Sequence, residues 1–370
     1  FCTPGYWPGT VYLKQTANID ASATQNWNDG KGFIPIGTSS YPFNVVYNGQ
    51  GNTISNLFIN RPDEHGVGLF GFVEDALIGD LSIINANITG NNQVGGLVGH
   101  STATSIIGCF CEDVNVIGYQ RVGGLVGYSN GYSVSQHVIE LCYVTGSVEG
   151  SLAVGGLIGR SVQCSVSECT TGMEDVIGEQ ETGGLIGDSY GTTISFCSSL
   201  GNVSGGSGTG GLVGKANYNT IINYCQSEGS VIGTSGVGGL VGVFGYDDNY
   251  MENCGSIAEV EGDGNVGGLV GSNYASINNC YSAGFVLCNS GTRGGLIGQS
   301  NSTLSNSFWD KEASGLSWGV GSGQEEGVTG KTTEEMKDVA TYTNLETEGL
   351  DFPWDFFGNP YDDTGSENIW

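Results

Sequence analysis

The sequence predicts an all-β protein, a parallel β-solenoid of about ten coils of roughly 28 residues, with a cap at each end. The first observation behind this prediction is a five-residue word, GGLVG or GGLIG, which we call the glycine word. It occurs eight times, beginning at Gly95, Gly123, Gly155, Gly183, Gly210, Gly238, Gly267 and Gly294. A degenerate copy begins at Val67, and successive words start 27 to 32 residues apart. Such a period is typical of coils that bury their apolar sides against their neighbours.

The second observation is an apolar residue followed three positions later by another residue of a buried type. This pattern occurs between the glycine words at Ile54/Leu57, Ile78/Leu81, Ile106/Cys109, Ile139/Cys142, Val166/Cys169, Ile194/Cys197, Ile222/Cys225, Met251/Cys254, Ile277/Cys280 and Leu304/Ser307. A third apolar position follows six or seven residues later. Each coil is therefore predicted to contain three short strands separated by Gly, Ser, Asn and Asp corners. No window shows the 3.6-residue period of a helix.

These patterns divide the chain into three parts. We assign residues 1–66 to an N-terminal cap with the first rung, 67–304 to the regular solenoid, and 305–370 to a C-terminal cap with an extension. Thr332-Thr333-Glu334-Glu335 reads as a capping box, so the run to Tyr342 is predicted to be the one short helix. The chain starts at Phe1 and stops at Trp370, and we expect a processed N-terminus and a continuation of the gene product.

The amino-acid composition limits the classes of partner that the chain is expected to bind. Ten basic residues stand against 38 acidic ones, for a formal net charge of −28. Phosphate recognition uses clusters of Lys and Arg, which the sequence does not show, so nucleic acid and anionic membranes are not expected partners. No run of 18 apolar residues could span a bilayer. The acidity suits an extracellular location, either secreted or on the cell surface.

Seven of the eleven cysteines occupy one position of the repeat: Cys109, Cys142, Cys169, Cys197, Cys225, Cys254 and Cys280. Leu57 and Leu81 precede them in the pattern, which marks the position as apolar and interior. A buried free thiol behaves as a small hydrophobe, so the pattern favours a stacked column of free thiols. Disulfides between adjacent rungs remain the alternative, although the Cβ spacing between rungs is slightly too long. No spacing typical of a metal site occurs.

Chemistry-bearing motifs are few. The three histidines, His65, His100 and His137, are expected at the surface. Two acidic pairs, Glu112-Asp113 and Glu174-Asp175, lie in comparable places two rungs apart and could align carboxyl groups for hydrolysis. Adjacent residues point to opposite faces of a strand, however, so solvated corners are favoured. We therefore predict no catalytic residues and no cofactor.

Two kinds of contact residue are nevertheless candidates. Asp247-Asp248-Asn249 lies in a slightly longer insert between Tyr246 and Tyr250, and it is the best candidate for a calcium or glycan contact. Three sequons, at Asn87, Asn202 and Asn301, are candidates for glycosylation. Chance occurrence in an Asn-rich chain is the competing explanation for the sequons.

The glycine word with I-x-x-C-Y-S-like strands between its copies resembles the GLUG-motif repeat proteins. Asn26-Trp27, the Gly32–Gly37 segment and Asn48–Leu57 resemble the lead-in of that family. Ser307-Phe308-Trp309-Asp310 and Gly330–Met336 resemble its closing segment. The resemblance covers nearly the whole chain and implies a large secreted or surface protein of bacteria or archaea. It implies adhesive or structural roles, and it carries over no catalytic residue because the motif contains none.

Two functions remain in competition. The first is a non-catalytic extracellular structural or adhesive element, such as a stalk, a surface-layer piece or a fibre subunit. Its expected partner is a second copy of the chain, joined end to end or by strand addition, and cell-surface glycans are a further partner. The alternative is a β-helix protein that binds or degrades polysaccharides, which exposed tyrosines after the glycine words would support.

Overall fold

The computed structural model describes residues 11–131, 137–246, 248–351 and 353–354. The chain forms an all-β parallel solenoid of about nine turns of about 28 residues, which confirms the predicted fold class. Its strands form three faces, and the paired strands of successive coils are parallel throughout the described residues. The glycine words lead from face 2 to face 1.

Face 1 is one ten-stranded sheet within the described residues. Its strands are Phe70–Glu74, Val98–Thr102, Val126–Asn130, Ile158–Val162, Ile186–Tyr190, Val213–Asn217, Val241–Phe244, Val270–Asn273, Ile297–Ser300 and Val320–Gly323. Nine spacings of about 4.8 Å between ten strands give this face a length of about 43 Å.

Face 2 holds eight short strands in the described part of the chain. They are Asn92–Gly95, Gln120–Gly123, Leu152–Gly155, Gln180–Gly183, Ser207–Gly210, Ser235–Gly238, Gly264–Gly267 and Arg293–Gly294. Each ends inside a glycine word, so faces 1 and 2 meet where the backbones approach most closely.

Face 3 carries the remaining strands, two or three in each coil. They are Tyr12–Lys14, Ile19–Asp20, Val46–Ser55, Phe58–Asn60, Leu77–Ile84, Asn87–Thr89, Ser105–Ile107, Phe110–Ile117, Val138–Glu140, Tyr143–Glu149, Ser165–Ser167, Thr170–Ile177, Thr193–Ser195, Ser198–Leu200, Asn202–Ser204, Ile221–Asn223, Gln226–Glu228, Ser230–Ile232, Tyr250–Glu252, Gly255–Ser256, Glu259–Gly262, Ser276–Asn278, Tyr281–Ser282, Val286–Cys288, Leu304–Ser305, Ser307–Asp310 and Val328–Lys331.

The glycine words exist because a side chain would not fit between the coils. A Cβ atom on Gly96 would lie 2.3 Å from the carbonyl oxygen of Gly124 in the next coil. The leucine of each word points inward instead, and Leu97 and Leu125 are at most 1% exposed. The word therefore combines a close backbone approach with one large core side chain.

The apolar column of face 3 stacks in register from Ile78 onward. Ile106 pairs with Ile78 on one side and with Ile139 on the other. The first predicted pair, Ile54/Leu57, does not belong to this column, because Ile54 pairs with Ile83. Tyr47 occupies the column position in that coil, since it pairs with Ile78, and Ile54 lies seven residues further along the chain.

The residue before each column cysteine turns the chain with a positive φ angle, near 50 to 60° at Leu141, Glu168 and Phe196. Asparagine tolerates this left-handed conformation well, and it occupies the position in the last three coils. There the amides form a ladder in which Asn279 donates to Asn253 and Asn306 donates to Asn279.

The C-terminal cap contains three one-turn helices, Lys311–Ser314, Thr333–Met336 and Ala340–Thr343. The expected capping box is present, with Thr332 and Glu335 bonded reciprocally. The expected single helix to Tyr342 is wrong, because Asp338 accepts a hydrogen bond from the N–H of Ala340 and begins a separate turn. Two 3₁₀ helices, Ser22–Asn26 and Asn28–Gly30, lie near the N-terminal end. No helix among the described residues is long and apolar enough to cross a membrane.

Candidate functional site

The seven cysteines of the repeat lie one above another inside face 3. The residues that follow Cys109, Cys142 and Cys169 are direct register partners in adjacent coils. The same register continues to the last of them, since the residue after Cys254 pairs with the residue after Cys280. All seven are at most 2% exposed. We call this set the Cys column.

The column thiols are free, and each described one donates to a backbone carbonyl. Cys169 donates to the carbonyl of Ser167 at 3.2 Å, and Cys280 donates to that of Asn278 at 3.1 Å. Burial raises the pKa of the Cys225 and Cys254 thiols well above the ordinary value, because a thiolate would lose its hydration. Burial of all seven thiols also keeps reagents in solution away from the column.

The cysteines outside the column differ from one another. Cys111 and Cys164 are buried, whereas Cys288 is half-buried, and all three are free. Cys2 lies outside the described residues. Cys288 is the one thiol among the described cysteines with substantial access to solvent.

The calcium or glycan candidate is only partly described, because Asp247 lies outside the described residues. Asp248 is exposed, with a φ angle of 55°. Asn249 is 3% exposed, and its side-chain oxygen accepts a hydrogen bond from the N–H of Thr220 at 2.8 Å. Its amide nitrogen donates to the carbonyls of Ala216 and Gly245. Asn249 thus satisfies the backbone of a coil corner with both ends of its side chain.

His137 occupies the equivalent corner four coils earlier and is buried, so the expectation of a surface histidine was wrong here. Its Nδ1 atom accepts from the N–H of Thr104 at 2.6 Å, and its Nε2 atom lies 2.6 Å from the hydroxyl of Ser129. Burial lowers the pKa of His137 to about 4. His100 is also largely buried, and burial followed by the charge of Arg121 lowers its pKa to about 4.

A cluster of charged side chains, which we call the face-1 cluster, lies on face 1, and the sequence pattern does not predict it. The outward positions of three successive strands hold Arg160, Asp188 and Lys215, which are register partners. Arg160 lies 3.1 Å from Asp188, and Lys215 lies 3.1 Å from Glu181 on face 2. Contrary to the expectation from sequence, basic residues do cluster here, because the register stacks positions that are far apart along the chain.

Within the face-1 cluster, Asp188 is the carboxyl group with the largest shift in pKa. It is 6% exposed, and burial together with the neighbouring charge of Glu181 raises its pKa to about 6. Arg160, Lys215 and Arg121 oppose the shift. Arg121 itself lies over the ring of Tyr128, with its guanidinium carbon 4.9 Å from the ring centroid. Each cation of the face-1 cluster contacts either a carboxylate or an aromatic ring, so the cluster forms an internal ionic network.

A groove lies on face 3, between two columns of side chains that point towards solvent. The corner column holds the left-handed residues, and the outer column holds the residue after each column cysteine. The groove between them has a volume of about 580 Å³. Its lining comprises Gly51, Asp80, Ser82, Gly108, Phe110, Leu141, Cys142, Tyr143, Glu168 and Thr170. We call it the face-3 groove.

The remaining sequence candidates are dispersed. Asn87, Asn202 and Asn301 are exposed on different coils. The two acidic pairs do not align, because Asp175 pairs with Ser147 and Ser147 in turn pairs with Asn115. Within the described ranges, no three His, Cys, Asp or Glu side chains form a group that could hold a metal ion.

Comparison with known proteins gives short likenesses. No protein-family model matches the chain, so membership of the GLUG-motif family stays a prediction. A stretch of 92 residues, 24% of this chain, is 48% identical to halomucin of Haloquadratum walsbyi and spans 1% of that protein. A stretch of 76 residues, 20% of this chain, is 38% identical to a protein of Evansella cellulosilytica named "Putative Gly-rich membrane protein" and spans 9% of it.

One solved structure covers most of the chain. It is a Bacteroides ovatus protein named as a "putative immunoglobulin A1 protease", with a TM-score of 0.43 and 19% identity over 90% of this chain and 80% of that one. A likeness of this size says nothing about activity. The sequence relatives are similar only to short stretches, and the chain spans at most 9% of their length.

Proposed function

We propose that this chain is a non-catalytic structural segment of a secreted or surface protein. The observation that carries the proposal is the unbroken parallel pairing of coils, from Tyr12–Lys14 at one end to Val328–Lys331 at the other. Such pairing satisfies the backbone of every inner coil and makes the segment stiff. The short likenesses to halomucin and to a protein named as a membrane protein support a surface location.

The acidic surface supports the same proposal. A net charge of −28 gives the segment a hydrated exterior and disfavours contact between identical rods side by side. The face-1 cluster of charges is balanced internally, since Arg160 faces Asp188 and Lys215 faces Glu181. Polysaccharide degradation, the competing function, requires two carboxyl groups across a shared cleft. The two acidic pairs that could have supplied them are out of register.

The test is to image and assay the purified chain together. Small-angle scattering is expected to show a rigid rod whose ordered coils extend about 43 Å, and a reducing-sugar assay with a polysaccharide panel is expected to show no turnover. Antibody labelling of intact producing cells is expected to reach the segment. Turnover of any polysaccharide, or labelling only after cell lysis, would overturn the proposal.

Association with a second copy is the expected mode of assembly. The strand Tyr12–Lys14 pairs with Val46–Ser55 on one side, and no described strand pairs with its other edge. Tyr12 and Ile19 at this end are 52% and 46% exposed. An open strand edge with exposed apolar side chains favours strand addition. Sedimentation of the full chain and of a chain lacking residues 1–10 tests this mode, and equal assembly of both would exclude that segment as the donor.

A further inference from the structure

The face-3 groove brings exposed apolar side chains of adjacent coils together. Phe110 and Tyr143 are register partners in the outer column, and they are 38% and 37% exposed. Leu141, in the corner column beside them, is 49% exposed. Three large apolar side chains thus lie together at the surface of a chain that is otherwise strongly acidic. An exposed apolar patch with polar residues at its rim is a candidate binding surface.

Near the C-terminal end, other aromatic rings of the chain cover the rings of this same outer column. There the column holds Tyr281 and Phe308, which are 7% and 0% exposed. The ring of Tyr342 packs on Phe308 edge to face at 5.7 Å, and Trp354 lies 5.9 Å from the same ring. The chain therefore covers the aromatic positions of this column at its end with flat rings, and it leaves Phe110 and Tyr143 uncovered.

We infer that the face-3 groove binds a neutral polysaccharide, with the sugar chain running along the solenoid axis. This goes beyond the proposed structural role and does not depend on it. A sugar ring presents an apolar face of C–H groups and a rim of hydroxyls. The rings of Phe110 and Tyr143 suit the apolar face, and the groove offers polar groups for the rim.

Those polar groups define the charge of the ligand. Asp80 and Glu168 lie at the two ends of the corner column in the groove, and Ser82 and Thr170 face them from the outer column. Carboxylates and hydroxyls accept hydrogen bonds from sugar hydroxyls. No Lys or Arg is among the lining residues, so an acidic polysaccharide would meet only like charge.

The direction of the ligand follows from the columns. The groove spans four coils, from Asp80 to Glu168, or about 14 Å at about 4.8 Å per step. The corner column continues beyond it with Phe196 and Tyr224, whose rings stack at 4.9 Å with an angle of 2° between them. A linear polymer along the axis would contact both sets of side chains. Affinity is therefore expected to rise with the length of the sugar chain until both are covered.

A blocking substitution is available that the fold should tolerate. Gly108 lines the groove with a φ angle of 61°, and a Cβ atom there would lie 3.4 Å from a carboxylate oxygen of Asp80 and 4.0 Å from its backbone nitrogen. Leu141 adopts the same conformation one coil later, with a φ angle of 55°. Gly108→Leu should therefore fill the groove without unfolding the coil.

The experiment is affinity electrophoresis of the full chain in gels that contain a β-glucan, a mannan, a galactan or an acidic pectin. We expect retardation by at least one neutral polysaccharide and none by pectin. Phe110→Ala and Tyr143→Ala should each weaken binding about tenfold, and Gly108→Leu should abolish it. The control is Phe285→Ala, which removes a ring that is 50% exposed and does not line the groove, and which should bind as the unchanged chain does.

Unfolding midpoints of all variants establish that each remains folded. The inference is overturned if no neutral polysaccharide retards the chain, if pectin alone does, or if folded Gly108→Leu binds normally. Failure of the structural role would appear elsewhere, as turnover or as loss of the rod in scattering. A protein ligand at this groove would show as pull-down lost in Gly108→Leu with no retardation by any neutral polysaccharide, and it would also overturn the inference.

Discussion

The backbone N–H of Thr104 donates a hydrogen bond to Nδ1 of His137 across a distance of 2.6 Å. Four coils later, the N–H of Thr220 makes the same kind of bond to the side-chain oxygen of Asn249 at 2.8 Å. Both acceptors lie at the corner between face 1 and face 3, in coils whose corner carries extra residues. An imidazole and an amide therefore accept the same backbone hydrogen bond. Only the imidazole is titratable, and protonation would remove its acceptor.

This equivalence predicts an acid-sensitive corner. A protonated Nδ1 could not accept from Thr104, and burial holds the pKa of His137 at about 4, below the value of about 6.5 in an unfolded chain. The unfolded state then binds more protons between those values. The stabilisation is fully present above about pH 6.5 and is lost as the pH falls towards 4.

His137→Asn should remove this contribution while keeping the bond, as Asn249 does. Chemical denaturation at pH 7.5 and pH 4.5 should show a smaller loss of unfolding free energy in the variant, by about 2 kcal/mol. The comparison between the two chains cancels the opposing titrations of His100 and Asp188, which both retain. Identical pH profiles would mean that His137 is not held neutral.

Asp188 should act in the opposite direction. Its pKa is raised to about 6 from the ordinary value of 3.8, so the folded state binds its proton more tightly. Its contribution to stability is therefore present below about pH 4 and is lost as the pH rises through 6.

Asp188→Asn, which resembles the neutral form, should be at least as stable as the unchanged chain at pH 8. Arg160 retains partial exposure and can be solvated once the carboxylate is gone. Thermal unfolding at pH 8 checks this, with Arg160→Gln as the matched variant. Destabilisation of Asp188→Asn by more than about 2 kcal/mol at pH 8 would show that the ion pair outweighs desolvation.

The glycine words should tolerate no side chain. A Cβ atom on Gly211 would lie 2.0 Å from the carbonyl oxygen of Gly239 in the next coil. Gly211→Ala must push two backbones apart and should cost more than about 3 kcal/mol. Gly264→Ala is the control, since its nearest neighbour would be 3.6 Å away and its φ angle is not positive. Equal unfolding midpoints for the two variants would contradict the close approach.

The Cys column should be unreactive until the chain unfolds. In a Cys2→Ser background, an aromatic disulfide reagent should label Cys288 rapidly in the native state. The other nine described thiols should react only in denaturant, because burial excludes the reagent. Mass spectrometry locates the labels. Rapid native labelling of Cys225, at the centre of the column, would contradict its burial.

The repeat was readable from the sequence because its cause is local. Glycine is required wherever backbones approach, as at Gly96, and an apolar residue is required wherever a side chain points inward, as at Ile106. Both requirements recur once in each coil. The predicted first pair failed at Ile54 because Tyr47 holds the position that pairs with Ile78, and an apolar pattern does not show which of the two residues faces the next coil.

The face-1 cluster and the face-3 groove could not be predicted from the sequence, because both depend on which positions of adjacent coils become neighbours. Arg160 and Asp188 are 28 positions apart and Lys215 and Glu181 are 34 apart, so their pairing follows from stacking rather than from spacing along the chain. His137 looked like a surface residue because its segment is polar. Its burial reflects the unpaired N–H of Thr104, which the corner must satisfy.

The central claim is that equivalent positions of successive coils form straight columns along one axis. Pulsed electron paramagnetic resonance tests it directly, with nitroxide labels on Ser82→Cys paired with either Ser198→Cys or Gln226→Cys in a background lacking Cys2 and Cys288. The three sites belong to one register column, four and five steps apart. We predict mean distances of about 19 Å and about 24 Å. Distances that do not increase by about one coil spacing, or that spread over tens of ångströms, would contradict the solenoid.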